Sequence, residues 1–120
     1  MNEIYFNKQH LRNMIRTLRN KKYKILITEE YNDSMGNSHI NKWKCCILGY
    51  QIKSEPEYAW CKLILQIQNL KLLTKGNIET IEFDIPYDCD VKYGDITKGE
   101  KYEIDYVNSG PHCYYIFQKI

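Results

Sequence analysis

A chain of 120 residues, 43% apolar and 27% charged, can form a single core without disulfide staples, and this composition argues against wholesale disorder. No apolar run approaches the ~20 residues of a membrane-spanning helix, and the N-terminus runs straight into a polar segment. A cytoplasmic protein of one domain, residues 1–120, with no membrane contact is therefore expected.

The formal net charge is only +2, but it conceals a gradient. Met1–Lys24 carries seven basic residues against Glu3 alone, a balance of +6. Gly76–Ile120 carries four basic residues against nine acidic ones, a balance of −5. Such a chain can offer opposite charge to different partners. Heavy use of Ile, Lys, Tyr and Asn (16, 14, 11 and 10 residues) fits AT-rich coding. It raises the expectation of a phage, mobile-element or low-GC bacterial source, with host cytoplasm as the compartment if the source is viral.

In chain order, Met1–Phe6 is short and half apolar. Asn7–Lys24 then places Leu11, Met14, Ile15 and Leu18 at i, i+3, i+4 and i+7, one face of an amphipathic helix over about 7–20. Asn7 is the expected N-cap, and Arg16, Arg19, Lys21 and Lys22 suit the negative C-terminal pole of the dipole. Tyr23–Tyr31, rich in β-branched and aromatic residues, predicts a first strand. The polar stretch Asn32–Asn41 predicts a long loop carrying His39, too long for a tight hairpin. Lys42–Ile52 is the second strand, with Gly49 pointing to a bulge or close backbone approach.

Residues 59–68 are the third strand, where Cys61, Leu63, Leu65 and Ile67 alternate with Lys62, Ile64, Gln66 and Gln68. Residues 78–85 are the fourth, with Ile81, Phe83 and Ile85 opposed to Glu82 and Asp84. Pro86–Glu100 is expected as a long connection. Strands at 101–107 and 112–119 close the chain around the turn signal Asn108–Pro111. These six segments predict an α+β fold, in which an N-terminal amphipathic helix packs on a strongly bent antiparallel sheet or small β-barrel of five to six strands. OB-like and SH3-like barrels both suit this order. The stretch DITKGEKYEIDYVNSGPHCYYI resembles the closing hairpin of small SH3-like barrels of phage and bacterial proteins, over 22 of the 120 residues.

No motif for catalysis or for a metal or cofactor emerges. Cys45, Cys46, Cys61, Cys89 and Cys113 contain no Cys-x-x-Cys pair, and adjacent cysteines in a strand face opposite ways. They read as reduced thiols, several of them core residues. A Cys113 or Cys89 nucleophile with His39 or His112 as base can be written, but nothing selects it. Gly94 and Gly99 lack the context of a phosphate-binding loop.

Two binding readings remain. The first is a protein-binding module, a phage or mobile-element inhibitor of a host defence or nucleic-acid-processing protein that acts by mimicking nucleic-acid charge. Its acidic face would comprise Glu79, Glu82, Asp84, Asp88, Asp90, Asp95, Glu103 and Asp105, and its partner would be a nuclease or other nucleic-acid-binding protein. The second is a small-barrel nucleic-acid binder that uses Lys8, Arg12, Arg16, Arg19, Lys21, Lys22 and Lys24, with tyrosines and tryptophans for stacking.

Overall fold

The computed structural model describes residues 2–55, 60–70, 77–86, 89–106 and 113–120. Among these residues one helix, α1 (Lys8–Asn20), accompanies eight strands: β1 (Asn2–Tyr5), β2 (Ile25–Asn32), β3 (Ser38–Glu55), β4 (Trp60–Asn69), β5 (Ile78–Pro86), β6 (Asp90–Tyr93), β7 (Tyr102–Tyr106) and β8 (Cys113–Lys119). The fold is α+β with an N-terminal helix and antiparallel pairing, as expected. The strands outnumber the five or six expected, because β1 and β6 have four residues each, too few for alternation to show. Closure into a barrel is not seen: among the described residues β1 pairs with β6 alone and β5 with β4 alone.

The chain divides into two compact units. No linker marks the boundary in the sequence, because β3 is continuous through it.

The first unit comprises residues 1–6, 25–43 and 88–120. Its strands run in the order β1-β6-β7-β8-β2, with the start of β3 beside β2. Register follows period 2: Ile27, Phe117 and Tyr102 share one cross-strand row, and Tyr115, Ile104 and Val91 share another on the same face. All six are buried, with Ile25, Cys89 and Ile96 alongside them. Tyr102 meets Phe117 edge to face at 6.3 Å between centroids, a favoured aromatic geometry.

Two connections are shorter than the sequence implied. The expected loop over Asn32–Asn41 is a tight turn, with β3 resuming at Ser38. Asp33 makes this possible. Its carboxylate accepts from the Met35 and Asn37 N–H groups, both at 2.9 Å, while Gly36 takes a left-handed φ of 82°. His39 thus lies on a strand rather than in a loop. The expected connection over Pro86–Glu100 contains β6 and a short 3₁₀ turn (Ile96–Lys98) capped by the Asp95 carboxylate.

The second unit comprises residues 7–24 and 44–87, with α1 and the order β3-β4-β5. Asn7 is extended, and its side-chain oxygen accepts from the Gln9 and His10 N–H groups at 2.8 and 3.2 Å. Leu11, Met14, Ile15 and Leu18 are all buried. So are Cys61, Leu63, Leu65 and Ile67 on β4, and Phe83 and Ile85 on β5. The alternation read from the sequence is therefore the core of this unit. Register between β3 and β4 slips between Ile47 and Gly49, so Leu48 is bulged outward and 43% exposed. This is the irregularity that the glycine implies.

Candidate functional site

The outer face of the first unit carries what the inner face excludes. Pairing places Glu30 opposite Tyr114, Tyr114 opposite Asp105, and Asp105 opposite Asp90. One row thus runs across β2, β8, β7 and β6. The adjacent row on the same face sets Glu103 opposite Lys92. Glu30, Lys92, Glu103, Asp105 and Tyr114 line a shallow cavity of about 230 Å³. The Tyr114 phenol is pushed up to about 12, first by desolvation, then by its hydrogen bond to Glu103 and by the carboxylates of Glu103, Asp105 and Glu30. It stays a neutral donor in a negative environment. Asp90 and Asp105 face each other in register, an arrangement of like charges that ordinarily costs a sheet stability.

Of the acidic residues named from sequence, Asp90, Glu103 and Asp105 share this face. Asp95 caps the 3₁₀ turn and is held below the usual carboxylate range, chiefly by the Thr97 hydroxyl. Glu79, Glu82 and Asp84 belong to β5 in the second unit. There Glu79 accepts from Asn69 at 3.3 Å and Glu82 pairs with Lys62 at 3.8 Å. Asp88 lies outside the described residues. Glu30, Tyr114 and Lys92 escape a reading of the sequence. They stand far from one another in the chain, and only register brings them together.

The basic residues of α1 line the second unit. Lys8 donates to the Ser54 hydroxyl, and Arg12 to Gln9 at 3.1 Å. Arg16 Nε reaches the Tyr50 hydroxyl at 3.4 Å, and the Arg19 guanidinium lies 5.2 Å from the Tyr50 ring centroid. Those contacts hold the Tyr50 phenol below its usual range, the Arg16 hydrogen bond first among the causes. Lys21, Lys22 and Lys24 are exposed. A larger cavity, about 580 Å³, opens at the C-terminal end of α1 against the β3 bulge.

Among the described residues, the pairings of Cys113 or Cys89 with His39 written from sequence are not assembled. His39 bonds Asp33 at 2.8 Å and stacks on Tyr31 at 4.9 Å. Tyr31 is in turn the cross-strand partner of Cys113, so the tyrosine stands between thiol and imidazole. Cys89 is buried, and His112 lies outside the described residues. Burial pushes the Cys45 and Cys61 thiols up to about 12 and about 11, the behaviour of core thiols rather than nucleophiles. Among the described residues, no three His, Cys, Asp or Glu side chains gather as a metal site would require. Nor is any helix there long and apolar enough to cross a membrane.

Comparison with known proteins adds no assignment: no family model, no curated protein and no solved structure matches this chain.

Proposed function

We propose that this chain is a non-enzymatic protein-binding module that engages a basic patch on its partner through the outer face of the first unit. The carrying observation is the row Glu30–Tyr114–Asp105–Asp90, in which Asp105 and Asp90 stand directly opposite each other, a pairing of like charges that ordinarily costs a sheet stability. Glu103 extends it, and Tyr114 adds an aromatic donor of the kind enriched at binding hot spots.

Magnitude decides what kind of surface this is. Four carboxylates less Lys92 leave a net charge of −3 across three strand spacings, about 14 Å. Duplex DNA carries about eight charges over that length. The face is therefore complementary to a few lysines or arginines of a partner and is not a duplex replica. The AT-rich residue usage supports a phage or mobile-element source. In that setting the module would act as an inhibitor or accessory factor of a host nuclease or other nucleic-acid-processing protein in the host cytoplasm.

The test is titration of a polyarginine peptide at low ionic strength, with circular dichroism as a fold check. The combined neutralisation Glu30→Gln, Glu103→Gln and Asp105→Asn is expected to abolish binding. Glu82→Gln with Asp84→Asn, in the other unit, is expected to retain it. Equal loss in both variants, or no loss in the first, overturns the assignment. A second reading, nucleic-acid contact through α1, is supported by the exposed Arg16, Lys21, Lys22 and Lys24. It predicts oligonucleotide binding that falls steeply with salt.

A further inference from the structure

The C-terminal end of α1 holds a second, chemically different concavity, independent of the acidic row. The helix closes in a Schellman arrangement: the Tyr23 N–H donates to the Leu18 carbonyl and the Lys22 N–H to the Arg19 carbonyl, both at 3.2 Å. The residue in the left-handed position is Lys22, at φ 53°. Glycine adopts that conformation without penalty, whereas a side chain carries a cost there. Among the described residues, Lys22 is the single non-glycine with positive φ. Backbone strain retained in one place is a reason to ask what the side chain does.

Lys22 lines the cavity of about 580 Å³, together with Arg19 and Asn20 from the helix end. Cys46, Ile47 and Leu48 of the bulge, with Gln68 of β4, form the other wall. The volume falls within the range of small-molecule sites. Arg19 is already fixed: its guanidinium rests on Tyr50 and donates twice to the Asn20 side-chain oxygen, at 3.3 and 3.2 Å. That leaves the Asn20 amide N–H₂ to donate elsewhere. Among the described residues, no carboxylate lines the cavity and neither Arg19 nor Lys22 forms an ion pair. Leu48, large, apolar and 43% exposed, offers a hydrophobic floor. The result is two cations for one anion, two amide side chains for a polar edge, and an aliphatic surface for a flat body.

We propose that this cavity binds a small organic phosphate of mononucleotide size. The phosphate would contact Lys22 and Arg19, and the base would rest on Leu48 with Asn20 and Gln68 at its edge. A fixed guanidinium beside a flexible ammonium suits a phosphate, since charge-assisted hydrogen bonds are the strong ones. Amide side chains are matched to base edges. A purely aliphatic acid would leave both amides without partners and is disfavoured on that ground.

Cys46 supplies a reporter within the wall. In the full-length chain, the rate of its alkylation by N-ethylmaleimide is followed by mass spectrometry, with Cys113 in the other unit as the internal control. AMP is expected to slow alkylation of Cys46 and not of Cys113, and adenosine, which lacks the phosphate, to protect at least about tenfold more weakly. Lys22→Gly is expected to weaken AMP protection about tenfold while raising the thermal midpoint, because it removes an ammonium contact and a strained backbone together. A structural role alone would not produce that opposition. The proposal fails if AMP gives no protection at millimolar concentration, if adenosine equals AMP, if laurate protects and AMP does not, or if Lys22→Gly leaves protection unchanged.

Discussion

Asn7 carries the start of α1 almost alone, so its replacement is a sharp probe of the second unit. The first helical turn has no acidic residue, and Lys8 adds a cation where the dipole already disfavours one. What satisfies the exposed N–H groups is the Asn7 side-chain oxygen, at 2.8 Å from Gln9 N and 3.2 Å from His10 N. Asn7→Ala removes that acceptor and is expected to cost about 1 kcal/mol. At about 2.1 cal/mol/K per residue, a chain of 120 residues has an unfolding entropy near 0.25 kcal/mol/K, so the midpoint should fall by about 4 °C. Asn7→Asp retains the acceptor and supplies the missing negative charge, and should stabilise the helix by up to about 1 kcal/mol. Its carboxylate would be favoured in the fold, which depresses its folded pKa. The gain is then fully present above the ordinary carboxylate range and lost as pH falls through the folded value. Thermal melts followed by the helical circular dichroism signal at neutral and acidic pH measure all three quantities. If Asn7→Asp is as costly as Asn7→Ala at neutral pH, the side-chain oxygen is not what holds the helix start.

Three other expectations follow from the geometry. A Cβ at Gly94 would meet Glu100 Cβ at 2.6 Å, whereas one at Gly49 meets nothing nearer than Gln66 Oε1 at 3.5 Å. Urea titration should accordingly show Gly94→Ala losing about 1–3 kcal/mol and Gly49→Ala neutral or gaining up to about 1 kcal/mol; equal effects would contradict the packing. In an ultraviolet phenolate titration, the contribution lost in Tyr50→Phe should lie below the ordinary value of 10.0 and move upward in Arg16→Gln. Stabilisation by that phenolate is fully present above 10.0 and is lost as pH falls through the folded value, so it adds nothing near neutrality. Asp33 is held below its ordinary 3.8, first by His39 and then by the Asn37 N–H. The β2–β3 turn should keep this support at neutral pH and lose it as pH falls through the lowered folded value, seen as lost amide-exchange protection at Met35 and Asn37 relative to the intrinsic rate. Protection at these amides that is indifferent to acid would refute the Asp33 role.

The amphipathic stripe Leu11, Met14, Ile15 and Leu18 and the alternation through β4 and β5 are legible in the order of residues alone, because period 3.6 and period 2 are properties of the local backbone. The Asn7 cap and the β3 irregularity near Gly49 are legible for the same reason. Two local signals mislead. The polar run after Asn32 reads as a long loop, yet the Asp33 carboxylate satisfies two backbone N–H groups and closes the chain within a few residues. β6, with four residues, is too short to announce itself, and its pairing with β7 supplies what its own pattern lacks.

The charge gradient is visible in the sequence, but its arrangement in space is not. Glu82 and Asp84 look continuous with Asp90 along the chain, yet they belong to a different unit, where Glu82 pairs with Lys62. Glu30 seems unrelated to Asp105, yet Tyr114 is the cross-strand neighbour of both. The sequence by itself determined which side chains α1, β4 and β5 turn inward. Tertiary pairing alone decided which outward side chains meet, since register between distant strands is set by how their buried faces fit together.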